Sequence, residues 1–90
     1  MRWARAAVVL LAFAAPGLAQ EEPPQAAFLV AHALAEEGRL EEALEVLDRV
    51  VGRVPDDPWI RIERAGILMR LGQLERATGD SARARELAPD

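Results

Sequence analysis

The sequence has no cysteine, no lysine and no tyrosine, and it has few aromatic residues. Without cysteine there is no disulfide scaffold, no cysteine-ligated zinc site, no thiol nucleophile and no lipid-anchored cysteine. The aromatic residues are Trp3, Phe13, Phe28 and Trp59. An acidic chain with so few aromatics lacks both the positive field and the stacking surfaces that nucleic-acid binding needs, so no nucleic-acid partner is expected.

The length and charge of the chain limit what it can form. Its 90 residues include 15 acidic and 11 basic side chains, for a formal net charge of −4. This is enough for at most one small domain. With no disulfide to add, stability must come from regular helix packing or from a partner.

Residues 1–19 have the layout of a secretory signal peptide. Arg2 and Arg5 precede an uncharged apolar run, and Pro16 and small residues follow it. The run is about ten residues, against the roughly 20 that a membrane-spanning helix needs. We predict cleavage after Ala19, a short polar linker over 20–23, and a periplasmic or secreted chain with no stable membrane insertion. The alternative is an uncleaved membrane anchor, which the helix-breaking Pro16 disfavours.

The sequence after the leader repeats itself with a period of 34 residues. Prolines, glycines and small residues all fall in register, and such a period is typical of stacked arrays. The matched pairs are Pro24 with Pro58, Ala31 with Ala65, Leu34 with Leu68, Gly38 with Gly72, Leu40 with Leu74, Glu41 with Glu75, Ala43 with Ala77, Arg49 with Arg83, Pro55 with Pro89, and Asp56 with Asp90.

Each unit has the sequence signals of two helices. Pro24 and Pro58 suit a first helical turn, where the missing N–H is not needed. Gly38 and Gly72 suit the left-handed position that ends a helix. After each glycine a second helix begins, with apolar residues at spacings of three and four in the first unit, and a proline ends it.

These small residues and prolines resemble the tetratricopeptide repeat, a 34-residue helix-turn-helix unit. The resemblance implies an all-α fold of two stacked repeats, 24–57 and 58–90, whose four antiparallel helices start a right-handed α-solenoid. The pattern falls on Ala27, Val30, Ala31, Leu34, Ala43, Leu47, Val50 and Pro55, then on Arg61, Arg64, Ala65, Leu68, Ala77, Ser81, Ala84 and Pro89.

The same resemblance implies a concave groove lined by the first helix of each unit. By register its main residues are Phe28, His32, Trp59, Ile62, Met69 and Arg70. An apolar groove of this kind suggests a non-catalytic adaptor for a protein, peptide or helix, with Trp59 as the anchor. Two alternatives stay open, since the same residues could simply pack the short array or could close a homodimer.

The second unit departs from the family pattern in two places. Arg61 and Arg64 stand where large apolar residues are preferred, and we interpret them as a solvated rim or as groups that pair with an acidic partner. The last helix has a thin apolar face and contains Gly79. It is predicted to be either a polar terminal cap or a helix that frays over 78–81 with Asp80 or Ser81 as a new cap.

The sequence gives little support for catalysis, cofactors or metals. His32 and Glu36 lie four residues apart, but a structural zinc site wants about four ligands and the chain has no second histidine. Ser81 and Thr78 have no neighbouring base, and the glycines do not form a phosphate-binding loop. We therefore expect no enzyme activity, no cofactor and no metal, and an enzyme with an unrecognised site stays a remote alternative.

Overall fold

The computed structural model describes residues 23–88, which form four α-helices and no strand. We number them α1 (Pro24–Glu36), α2 (Leu40–Arg53), α3 (Pro58–Arg70) and α4 (Leu74–Leu87). The predicted signal peptide and its cleavage site lie outside the described residues. None of the four helices is long and apolar enough to cross a membrane.

The two helical hairpins turn at glycines that adopt a left-handed backbone. Gly38 and Gly72 both have φ of +81°, a conformation that costs other residues because of their Cβ atom. The turns are closed by backbone hydrogen bonds, in which Arg39 N–H donates to Leu34 O over 2.9 Å and Gln73 N–H donates to Leu68 O over 2.8 Å. These bonds satisfy carbonyls that a helix end leaves free. Because the glycine φ angle and the closing hydrogen bond are equivalent in both hairpins, the two turns have the same geometry.

The first helix of each hairpin begins at a proline. Pro24 opens α1 and Pro58 opens α3, as the sequence pattern predicts. At α3 the carboxylate of Asp57 also caps the helix, accepting hydrogen bonds from the backbone N–H of Trp59 at 2.9 Å and of Ile60 at 3.2 Å. A cap of this type stabilises a helix by about 1 kcal/mol.

The core lies between α1, α2 and α3 and combines small residues with large ones. On α1 the buried residues are alanines, which let the neighbouring helices approach closely. The large buried residues are Leu47 and Val50 of α2 and Ile60 and Ile67 of α3. A second, smaller cluster of Ala65, Leu68 and Ala77 joins α3 to α4.

The helices stack in chain order, as two consecutive hairpins. Each helix packs against the next, and α1 also touches α3. This confirms the predicted all-α fold of two stacked helix-turn-helix repeats.

The last helix is continuous. It runs without a break from Leu74 to Leu87, so the alternative of a helix that frays near Gly79 is wrong. Asp80 does not cap a short final turn, because it is buried within α4. The other buried residues of α4 are Ala77 and Ala84, and most of its remaining surface is polar and exposed. This matches the polar outer layer that a terminal repeat requires.

Candidate binding groove

The six predicted groove residues lie on two neighbouring helices. Phe28 and His32 belong to α1, and the other four belong to α3. All of them except Met69 border one of two separate hollows between these helices. The first hollow, at the helix starts, is lined by Pro24, Gln25, Phe28, Leu29, Asp57, Trp59 and Ile60. The second hollow, further along the helices, is lined by His32, Ala35, Glu36, Ile62, Glu63, Gly66, Ile67 and Arg70.

The first hollow is the larger and the more apolar. Its volume is about 410 Å³, enough for one large side chain of a ligand. Trp59 is 69% exposed at its edge, and Phe28 is half-buried in its wall. The carboxylate of Asp57 is already engaged by the N-terminal amides of α3, so the recognition chemistry here is mainly apolar contact.

The second hollow is smaller, at about 150 Å³, and it is more polar than the first. His32 stands between two carboxylates, with its Nδ1 3.2 Å from Glu63 Oε2 and its Nε2 3.6 Å from Glu36 Oε1. The His32 ring also stacks on Phe28, with ring centroids 6.3 Å apart and planes within 2°. The Phe28–His32 stack therefore joins the wall of the apolar hollow to that of the acidic one.

Arg70 lines the second hollow but is engaged by the protein itself, and Met69 lies outside both hollows. The Arg70 guanidinium donates a hydrogen bond to the backbone carbonyl of Ala35 over 3.2 Å. Arg70 thus ties α3 to the end of α1, where the helix dipole favours a cation. Met69 is 60% exposed and lines neither hollow.

Arg61 and Arg64 bind a buried carboxylate of α4, so the prediction of a solvated rim is wrong. Asp80 is only 3% exposed. Arg64 Nε donates to its Oδ2 over 2.6 Å and Arg64 Nη2 to its Oδ1 over 2.8 Å, while Arg61 Nη1 donates to Oδ1 over 3.1 Å. The Asp80 hydrogen bond raises the pKa of Arg64, so that arginine stays charged at any pH of interest.

This ionic cluster connects three helices. Arg64 also donates to Asp48 of α2 over 3.0 Å, and Arg76 of α4 approaches the same carboxylate at 3.4 Å. Arg61 Nε donates to the carbonyl of Pro55 in the loop between the repeats, over 2.8 Å. The cluster lies outside both hollows. Asp80 joins α3 to α4 within the second repeat, and the contacts with Asp48 and Pro55 join the second repeat to the first.

The repeat register contains a further signal, which points to this cluster. A shift of 34 residues places Arg61, Arg64 and Asp80 opposite three apolar residues of the first unit. Those counterparts are Ala27, Val30 and Val46. One apolar trio has been replaced by two cations and one anion, which indicates an ion pair between the two helices.

Neither a group of metal ligands nor an unpaired buried polar side chain is found in the described residues. Within residues 23–88 no group of three or more histidine or acidic side chains is arranged to hold a metal ion. Over the same range every buried side-chain nitrogen and oxygen has a hydrogen-bond partner. What the groove offers is the apolar first hollow, the more polar second hollow and exposed apolar side chains.

Comparison with known proteins identifies the family. The tetratricopeptide repeat family model matches residues 34–79, which is half of the chain, and the match runs from the end of α1 into α4. No match was found among curated proteins or among solved structures. With its two stacked hairpins and its 34-residue period, the chain belongs to the tetratricopeptide repeat family.

Proposed function

We propose that the chain is an exported, non-catalytic adaptor that binds a peptide or helix of a partner protein in the groove between α1 and α3. Tetratricopeptide repeats are general protein-interaction modules and are typically not catalytic. The single observation that carries the proposal is the row of exposed apolar side chains along α3. In this row Trp59, Ile62 and Met69 all have about half or more of their surface in water.

The first hollow supports a ligand with one large apolar side chain. Tryptophan is among the residue types that dominate binding energy at interfaces, and here it borders a hollow that would shield it from water. Burying most of the Trp59 side chain would contribute favourable free energy at roughly 25 cal/mol per Å² of apolar area. Trp59 is therefore proposed as the anchor, with Phe28 as the opposite wall.

The second hollow supports a basic residue in the same ligand. Glu36 and Glu63 bring two negative charges there against the one positive charge of Arg70, whose guanidinium is held by the carbonyl oxygen of Ala35. Glu36 lies eight residues beyond Phe28 on α1, which is about 12 Å along the helix axis. An extended peptide covers about 13 Å in four residues, so the ligand is proposed to carry a large apolar residue and an Arg or Lys about four positions away.

The experiment is selection of ligands from a displayed library of random peptides. The chain serves as bait, the Trp59→Ala variant serves as counter-selection, and Leu74→Ala is the matched control, since Leu74 is an exposed apolar residue on α4. The proposal expects peptides with the apolar and basic pair, retained by Leu74→Ala and lost by Trp59→Ala. Peptides that bind Trp59→Ala equally well would contradict it.

A homodimer closed through the same groove is the second candidate function. The observation in its favour is the same exposed row on α3, which a second copy could cover as well as a peptide could. The mass of the Trp59→Ala variant separates the two. Dissociation of a dimer to monomers favours self-association, whereas lost peptide binding with unchanged mass favours the adaptor. An enzyme with an unrecognised site stays a remote alternative.

A further inference from the structure

Helix α1 has a third face, which lies outside the core and beside the groove. Ala26, Leu29, Val30 and Ala33 lie at spacings of three and four residues, which puts them on one side of the helix. We call this the open face. Leu29 is 65% exposed and Val30 is 41% exposed, and Leu29 also borders the first hollow.

The second repeat shows what such a face does when it is covered. A shift of 34 residues equates the open face with Ile60, Glu63, Arg64 and Ile67 of α3. Ile60 and Ile67 are buried in the same cluster as the residues of the first repeat. Glu63 contacts His32 and Arg64 contacts Asp48, both in the first repeat. By this equivalence the open face has the position of an interface between stacked units.

The open face is complementary to itself. Its midpoint lies between Leu29 and Val30, so an antiparallel copy of α1 would put Leu29 of one molecule against Val30 of the other. Ala26 would then face Ala33, and the small residues would allow the two helices to approach. All four residues are uncharged, so these four positions bring no like charges together when two copies of an acidic chain meet.

The other end of the stack does not offer a partner for the open face. On α2, the side that receives α3 includes Leu44, which packs against the core, and Asp48, which pairs with Arg64. On α4, Thr78 and Ala82 take the places of Leu44 and Asp48, and both are exposed. Arg85 takes the place of Val51, which is buried on α2. Head-to-tail stacking of many copies is therefore disfavoured, and a twofold contact between two open faces closes at a dimer.

We propose that two copies of this chain associate through the open face, with their α1 helices antiparallel and packed Leu29 against Val30. This interface shares only Leu29 with the lining of the first hollow, and it does not depend on the proposed function. One helix face buries less than the roughly 1,000 Å² of a standard stable interface, so the dimer is expected to be weak and concentration-dependent. The row of exposed residues on α3 stays free for a ligand.

The experiment is analytical ultracentrifugation of the chain purified from cells that express the full sequence, over about 5 to 500 µM. The expected result is a shift from monomer to dimer with concentration. Val30→Arg should keep the protein monomeric throughout. The second repeat has Arg64 at the equivalent position, so a helix accepts arginine there. Leu74→Arg is the matched control on α4 and should dimerise normally, and circular dichroism checks that both variants keep their helices.

A charge-pair rescue tests the antiparallel register. Neither Val30→Arg nor Leu29→Glu should dimerise alone. A mixture of the two should form a heterodimer, because the arginine of one chain then faces the glutamate of the other. A monomer at every concentration would overturn the proposal, and so would a dimer that survives Val30→Arg but is lost in Trp59→Ala. Growth into larger oligomers would also overturn it.

Discussion

At the scale of single residues, the carboxylate of Asp80 is the most consequential polar group in the described chain. It accepts hydrogen bonds from both Arg61 and Arg64 while almost fully buried. Removing one partner of a buried ion pair leaves the other charges uncompensated, at a cost of about 3 kcal/mol. We predict that Asp80→Ala lowers the free energy of unfolding by about this amount, measured by urea titration with circular dichroism at 222 nm.

The matched control for Asp80 is an exposed acid of the same helix. Glu86 approaches Arg83 at 3.7 Å at the surface, and exposed pairs of this kind contribute about 0–1 kcal/mol. Glu86→Ala should therefore leave the urea midpoint almost unchanged. Equal effects of the two substitutions would show that burial of Asp80 has no energetic consequence.

A triple substitution tests whether the ionic trio replaces an apolar trio. Arg61→Ala, Arg64→Val and Asp80→Val together give the second repeat the residues of the first. Replacing a whole buried ion pair by apolar residues is often neutral or stabilising. We predict an unfolding free energy within about 1 kcal/mol of the wild-type value, well above that of Asp80→Ala alone. If the triple variant is less stable than Asp80→Ala, the two trios are not interchangeable.

Sequence reasoning failed at this cluster for a physical reason. Periodicity and propensity are local, whereas Asp80 lies 16 residues from Arg64 and 19 residues from Arg61 along the chain. An arginine at an apolar position has two outcomes, exposure to water or a buried partner, and the partner depends on how the helices pack. Comparison of the two units position by position was the available signal, because it aligns all three charged residues with apolar ones.

At the scale of elements, the hairpin turns were predictable and the last helix was only partly so. Gly38 and Gly72 adopt the left-handed conformation that their register implies, and Pro24 and Pro58 open their helices. The extent of α4 could not be read from propensity, since its apolar face is thin. The middle of α4 is fixed by the hydrogen bonds that Asp80 accepts from Arg61 and Arg64 of α3, and such contacts between helices cannot be read from local sequence.

Gly72 precedes α4 and Gly79 lies inside it, so replacing each by alanine should change the stability of the chain in opposite directions. Gly72 has φ of +81°, so Gly72→Ala should destabilise the chain by about 1 kcal/mol. Gly79 lies inside α4, where an added Cβ meets nothing within 4 Å, so Gly79→Ala should stabilise it by about 1 kcal/mol. Urea titration of both variants gives the signs. A destabilising Gly79→Ala would contradict a continuous α4.

At the scale of the whole molecule, the groove was predictable as a surface but not in its division into two hollows. Register identified the helices that form it. It did not identify Glu63, which makes the second hollow acidic, or the contact of Arg70 with Ala35 O. The position of Glu63 and the contact of Arg70 both depend on the distance between α1 and α3, and the repeat register does not give that distance.

The export prediction concerns residues outside the described structure, and it can be tested by mass. We expect the chain recovered from a secretion-competent bacterium to lack residues 1–19 and to begin at Gln20, since Gly17 and Ala19 are the small residues that a signal peptidase reads. Intact-mass spectrometry of the cell-envelope or medium fraction checks this. A mass that corresponds to the full 90 residues would instead support the uncleaved anchor.

The most direct test of the adaptor account uses Trp59 as its own reporter. Trp3 is the other tryptophan of the sequence, so a chain that begins at Gln20 has Trp59 alone. A selected peptide with its apolar and basic residues should shift the fluorescence of Trp59 to the blue in a saturable titration, because the exposed indole becomes buried. Binding that calorimetry detects while the emission of Trp59 stays unchanged would contradict the account, since the ligand would then occupy another surface.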